Sequence, residues 1–96
     1  MTPQDQEKLF KAVKERFHCW GAKQVSGYVH GVVDGLKCNE PQQDYVRDFK
    51  KKRKTYAHGY IYGFVDAYGS DALTADWSRE LPELSMEALE YRWWLK

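Results

Sequence analysis

Five cations stand in a row at Lys50-Lys51-Lys52-Arg53-Lys54, and Arg47 precedes them by about one helical turn. On a helix, five consecutive side chains point in most directions, so some lie beside an apolar face and snorkel outwards. Their mutual repulsion is unfavourable until an anion neutralises it, and phosphate backbones do this while releasing counterions. Tyr45, Phe49 and Tyr56 lie within two turns and are of the kind that stacks on bases. The chemistry suggested is contact with nucleic acid, with Arg47, Lys50, Lys51, Lys52, Arg53 and Lys54 on phosphates and Tyr45 and Tyr56 on bases. A solvated basic face or an acidic protein partner are the plainer alternatives.

Other constellations are weaker. His30 and Asp34 stand one helical turn apart, and His58 and Asp66 lie at the ends of a second, similar stretch. A His/Asp pair at i, i+4 suits a metal, but the ligand set is thin and no metal or other cofactor is expected. Each Asp is expected instead to hydrogen-bond a neighbouring helix end or the Tyr of the other stretch. His18 and Cys19 diverge as helical neighbours and make a poor base and nucleophile. No Ser or Thr sits in a nucleophile elbow, and the glycines lack phosphate-loop spacing, so the chain reads as a non-enzyme. Trp93 and Trp94 are about 100° apart on a helix. Either one ring covers the core and the other, Trp94, is available beside Glu87 and Glu90 to a protein partner, or both rings belong to the core of a small protein.

The elements that must position these groups centre on a repeat. Gly27-Tyr28-Val29-His30-Gly31-Val32-Val33-Asp34-Gly35 and Gly59-Tyr60-Ile61-Tyr62-Gly63-Phe64-Val65-Asp66-Ala67 share Gly, Tyr, Gly, Val and Asp at an offset of 32 residues. Apolar residues recur at three and four in both, which predicts two helices. Glycine costs a helix roughly 1 kcal/mol against alanine, so the strips Gly27, Gly31, Gly35 and Gly59, Gly63 need a compensating close approach. The expected arrangement is an antiparallel pair packed through these strips; a homodimer could use them equally well.

Around this pair, Thr2-Pro3-Gln4-Asp5 starts a helix that the spacing of Leu9, Phe10, Val13, Phe17 and Trp20 carries to about residue 20. The second helix spans about Ala22 to Leu36. A third starts at Pro41 and holds helical spacing to Gly69, with its basic middle exposed and a kink near Lys54–Thr55 as the alternative to one long helix. The tail reads as two short helices, one after Thr74 with Trp77 and Leu81, the other capped by Ser85 with Met86, Leu89 and Trp93 facing in. No stretch alternates as a strand would. The fold class is all-α: a small helical bundle built on a close-packed glycine-strip pair, with an N-terminal helix and two short C-terminal helices, in one domain over residues 1–96.

Composition supports this. The chain has 96 residues, four Trp, seven Tyr and four Phe, so large rings supply much of a small core. No run of ~18 apolar residues suggests a membrane span, and the polar start lacks a signal-peptide pattern, so a cytoplasmic location is expected. Cys19 and Cys38 bracket the first glycine helix, about 28 Å apart if it is continuous, and are read as reduced thiols, Cys19 near a core face and Cys38 near a helix end. The formal charge is +1, yet residues 41–58 carry six basic and two acidic side chains while residues 69–96 carry three basic and six acidic. That asymmetry predicts one basic and one acidic surface.

The segment from Gly27 to Tyr68 resembles the ribosome modulation factor pattern. The similarity rests on Gly27-Tyr28-x-x-Gly31-x-x-x-Gly35, a connection with Cys38 and Pro41, and His58-Gly59-Tyr60-Ile61-Tyr62-Gly63. The resemblance implies a small helical protein that docks on the ribosome, with the face around Arg47 and Lys50–Lys54 toward rRNA. The chain is longer and much less basic than that family and has an acidic tail. The two function classes that follow are a binding module for rRNA or another ribonucleoprotein, acting by occlusion, and a small inhibitor or adaptor that blocks a host protein complex through its aromatic, acidic tail.

Overall fold

The computed structural model describes residues 1–51, 56–69, 72, 75–81 and 93–95. Four α-helices, α1 (Pro3–Arg16), α2 (Ala22–Lys37), α3 (Gln43–Phe49) and α4 (Tyr56–Tyr68), are followed by 3₁₀ turns at Asp76–Glu80 and Trp93–Leu95. The described residues form an all-α bundle, and α2 against α4 is its central packing.

Helix α1 begins as its sequence dictates. Pro3 occupies the first turn, the Asp5 amide donates to Thr2 Oγ1 at 3.1 Å, and the Thr2 amide donates to Asp5 at 3.4 Å. Those hydrogen bonds with Thr2 hold the Asp5 carboxyl below the usual carboxylate range. Thr2→Ala is expected to cost about 1 kcal/mol, seen as a lower melting temperature with unchanged native spectra. The helix stops at Arg16, short of the expected residue 20: Phe17 leaves helical geometry while its amide still bonds Val13 O at 2.8 Å. Phe17 and Trp20 then stack with centroids 4.4 Å apart, and both rings reach Tyr28. Large rings bury much apolar area each, and packing both against Tyr28 offsets the loss of one more turn.

Helices α2 and α4 run parallel, which corrects the antiparallel expectation. A Cβ on Gly27 would meet Tyr56 O, one on Gly31 would meet Tyr60 O, and one on Gly35 would meet Phe64 O. The register therefore rises on both helices together. The reciprocal contacts repeat at the 32-residue offset: Gly59 faces Gln24 O and Gly63 faces Tyr28 O. The two stretches are thus related by a local two-fold axis along the pair. Each glycine Cα approaches a carbonyl of the opposite helix, the geometry of Cα–H···O contacts at close helix crossings. The strips are used within the chain, against each other.

A parallel pair needs a connection that returns along its length, and α3 lies in it. The single helix expected from Pro41 to Gly69 is broken: α3 ends at Phe49 and Lys50–Lys51 turn before α4 starts at Tyr56. A continuous helix over residues 41–68 would be about 42 Å long, whereas the molecule's longest extent is 32 Å. Folding back lets Val46 and Phe49 join Ile61, Phe64 and Val65 in one core cluster. Helix α4 ends where Gly69 adopts φ 93°, its amide bonding Val65 O at 2.9 Å.

The glycine seam divides two apolar layers. One joins α3, α4, Trp77 and Leu81; the other joins Leu9 and Val13 of α1 to Val25, Tyr28 and Val32 of α2. Trp77 is fixed by its indole N–H on Asn39 O at 3.1 Å and by edge contacts to Phe64 and Tyr68. Its segment is a 3₁₀ turn rather than the expected short α-helix. Most of the helix expected after Ser85 lies outside the described residues. Cys19 and Cys38 are both exposed free thiols. No helix among the described residues is long and apolar enough to cross a membrane.

Candidate functional site

The parallel two-fold pair brings each repeated Asp to the Tyr of the opposite stretch. Tyr28 donates its hydroxyl to Asp66, and Tyr60 donates to Asp34 at 2.5 Å. Of the two partners expected for these carboxylates, the Tyr of the other copy is the one found. The two ends then diverge. Tyr28 and Asp66 are enclosed, and Trp93 caps them with its indole N–H on the Tyr28 oxygen at 2.7 Å. Burial and the neighbouring Asp66 charge push the Tyr28 phenol far above its ordinary value. This pair is a cross-tie of the scaffold.

The other end is more exposed. Asp34 also accepts from Gln42 Nε2 at 3.0 Å, and the Gln42 amide donates to Tyr60 Oη at 3.2 Å. His30 lies 3.6 Å from Asp34 through Nε2, and its Nδ1 meets Tyr56 Oη at 2.8 Å. Tyr45 lies over Tyr60 with centroids 4.4 Å apart and meets the His30 ring edge-on. Burial first, then the Tyr45 and Asp34 charges, raises the Tyr56 phenol. Tyr60 is raised by burial and by its bond to Asp34. Tyr45 and Tyr56, expected to face bases, are thus half-buried members of a network joining α2, α3 and α4.

The basic segment splits at the limit of the described residues. Arg47, Lys50 and Lys51 are exposed at the end of α3, while Lys52, Arg53 and Lys54 lie outside the described residues. Arg47 is 3.3 Å from Asp44 and Lys51 is 3.7 Å from Asp48, with the cation side chains 68% and 59% exposed. Exposed pairs of this kind contribute about 0–1 kcal/mol and are readily exchanged for another anion. Val46 and Phe49, the buried residues of α3, anchor the segment to the core.

Trp94 is half-buried, edge-on to Tyr28 at 6.3 Å, and lines a cavity of about 340 Å³ with Leu9, Met1 and Leu36. Glu87 and Glu90 lie outside the described residues. His58 meets Gln24 Nε2 at 2.7 Å and the Tyr62 ring at 4.6 Å. Among the described residues, no three His, Cys, Asp or Glu side chains gather as a metal site.

A second concavity went unread in the sequence. A groove of about 750 Å³ opens between α1 and α2, lined by Phe10, Lys11, Lys14 and the acidic Glu7 of α1, by Val29, His30 and Val33 of α2, and by Tyr56 of α4. Its available signal was the spacing of Phe10 with Lys14 and of Val29 with Val33, each placing one pair on a single helical face. Compared with known protein families, curated proteins and solved structures, the chain gives no match.

Proposed function

We propose that this protein is a non-enzymatic binding module that docks the basic end of α3 on rRNA or another nucleic-acid-bearing assembly and acts by occlusion. One observation carries the reading: Arg47, Lys50 and Lys51 project together from the end of a helix whose buried residues are locked into the core. The sequence continues the run through Lys54. A rigid cationic edge suits a polyanion, because neutralised phosphates release counterions and little side-chain framework has to be ordered on binding. The resemblance to the ribosome modulation factor pattern agrees in kind.

The test is binding of a fluorescent single-stranded RNA and of purified ribosomes by wild type and by Arg47→Glu/Lys50→Glu/Lys51→Glu. The triple variant is expected to bind roughly a hundredfold more weakly at low salt, and wild-type affinity to fall steeply as salt rises. Unchanged affinity, with native melting of the variant, would sink the proposal.

One observation favours a second reading, a protein-binding inhibitor or adaptor of a host complex. Met1 and Leu36 are the exposed large hydrophobics among the described residues, at 39% and 42%, and they flank Trp94. An aromatic anchor ringed by apolar side chains is the usual centre of a protein interface. A partner captured by wild type, lost with Leu36→Asp and indifferent to both nuclease and the triple charge reversal would replace the nucleic-acid reading with this one.

A further inference from the structure

We propose that the groove between α1 and α2 receives one unpaired nucleotide of a single-stranded nucleic acid, its base on Phe10, Val29 and Val33 beside Tyr56, and its phosphate on Lys11 and Lys14. The inference rests on the nucleic-acid reading above and extends the contact from the end of α3 to a second place on the molecule. Four features of the groove carry it.

Its volume of about 750 Å³ accommodates a base with its sugar. Phe10, Val29 and Val33 give it an apolar lining, as a base face requires, and Phe10 and Tyr56 contribute aromatic rings. Ser26, His30 and Gln6 supply donors and acceptors for a base edge. Lys11 and Lys14, three apart on α1, line it as neighbouring cations; Glu7, one turn before Lys11, is the one acidic side chain of the lining, which leaves the groove with a net positive charge. A purely aliphatic ligand would use the floor and waste the polar groups; a nucleotide uses both.

The wall is also organised in advance. Tyr56 is held through its hydroxyl on His30 Nδ1 at 2.8 Å, and its ring faces His30 edge-on at 5.9 Å. That phenol is neutral through the physiological range, as any tyrosine is, and burial raises it further. A side chain already tied in place loses little entropy when a ligand arrives. Tyr56 stands two residues beyond the basic run in the sequence.

The experiment compares an intact single-stranded RNA with an abasic strand of the same length by fluorescence anisotropy. The intact strand is expected to bind about tenfold more tightly, the worth of one stacked base. Phe10→Ala is expected to erase that advantage while leaving the affinity for the abasic strand unchanged. Lys11→Gln/Lys14→Gln is expected to weaken both strands severalfold. Val33→Ser repeats the floor test at a half-buried position should Phe10→Ala fail to fold. Equal binding of intact and abasic strands by wild type overturns the groove and leaves the α3 reading standing. Binding of neither strand overturns both. Competition by free adenosine monophosphate at the concentration of the strand itself would show a free-nucleotide pocket and overturn the commitment to a strand.

Discussion

Gly31→Ala and Gly63→Ala are each expected to lower the unfolding free energy by about 3 kcal/mol or more, the upper end for overpacking a tight core. A Cβ on Gly31 would sit 2.0 Å from Tyr60 O, and one on Gly63 would sit 2.0 Å from Tyr28 O. The obstructing atoms are backbone carbonyls, so no side-chain rotation relieves the clash. The helices must part by more than an ångström along the seam, losing dispersion contacts on both sides of it. With a total stability of order 5–15 kcal/mol for a domain, one methyl group removes a large fraction.

The comparison is sharpened by local propensity. Alanine is the better helix former by about 1 kcal/mol, so an unpacked glycine would give the opposite sign. Gly21→Ala supplies the control, because nothing lies within 4 Å of its Cβ position. Chemical denaturation followed by far-ultraviolet circular dichroism should leave the Gly21 variant near wild type and shift the other two strongly. Wild-type midpoints for Gly31→Ala would mean that α2 and α4 do not meet along this seam.

Alkaline pH is expected to unfold the protein well before its lysines are fully discharged. Tyr28 is wholly enclosed, donates to the buried Asp66 carboxylate and accepts from Trp93. Ionising it would place a second negative charge beside the first in a low-dielectric site. Its folded-state value therefore lies above the ordinary phenol value near 10. Below about pH 10 both folded and unfolded chains keep this proton, and its contribution is fully present. Above it the unfolded chain releases the proton while the folded chain retains it, so stability falls by about 1.4 kcal/mol per pH unit from Tyr28 alone. Tyr60, raised by burial and by Asp34, acts in the same direction.

Unfolding midpoints measured from pH 9 to 12 should decline accordingly, and phenolate absorbance should show these two tyrosines ionising only with the unfolding transition. Tyr28→Phe should flatten part of the decline while lowering stability at neutral pH, since Asp66 loses its phenol donor. A chain as stable at pH 11.5 as at pH 9 would contradict the enclosed Tyr28–Asp66 pair.

Parts of this architecture were legible because their cause is local. The helix start at Thr2-Pro3-Gln4-Asp5 is a property of four side chains and the amides beside them. The end of α4 at Gly69 follows from a conformation that favours glycine. The repeat itself announced a paired seam, since glycine at every fourth position has no gain in an isolated helix. Tyr28 with Asp66 and Tyr60 with Asp34 were half legible: a repeated Tyr and a repeated Asp imply a reciprocal pairing, without saying which atoms meet.

Other features have causes that no window of sequence contains. Lys50 to Lys54 are good helix formers, so local propensity runs α3 into α4. The break after Phe49 comes from Val46 and Phe49 reaching Ile61 and Val65 on the helix that follows. Tyr45 and Tyr56 look like open aromatic surface beside cations, yet Tyr60 and His30, brought from elsewhere in the chain, take up their rings. The groove beneath Phe10 exists only because α1 lies across α2 at a distance set by Leu9 and Val13.

The sequence by itself determined that the molecule is helical, where α1 and α4 are capped, and that two glycine strips meet. The direction of their meeting belonged to the tertiary structure, because Gly-x-x-x-Gly spacing presents the same smooth strip whichever way the helix runs. Parallel packing was decided by the fold-back of α3 against α4 and by the cross-ties from Tyr28 to Asp66 and from Tyr60 to Asp34.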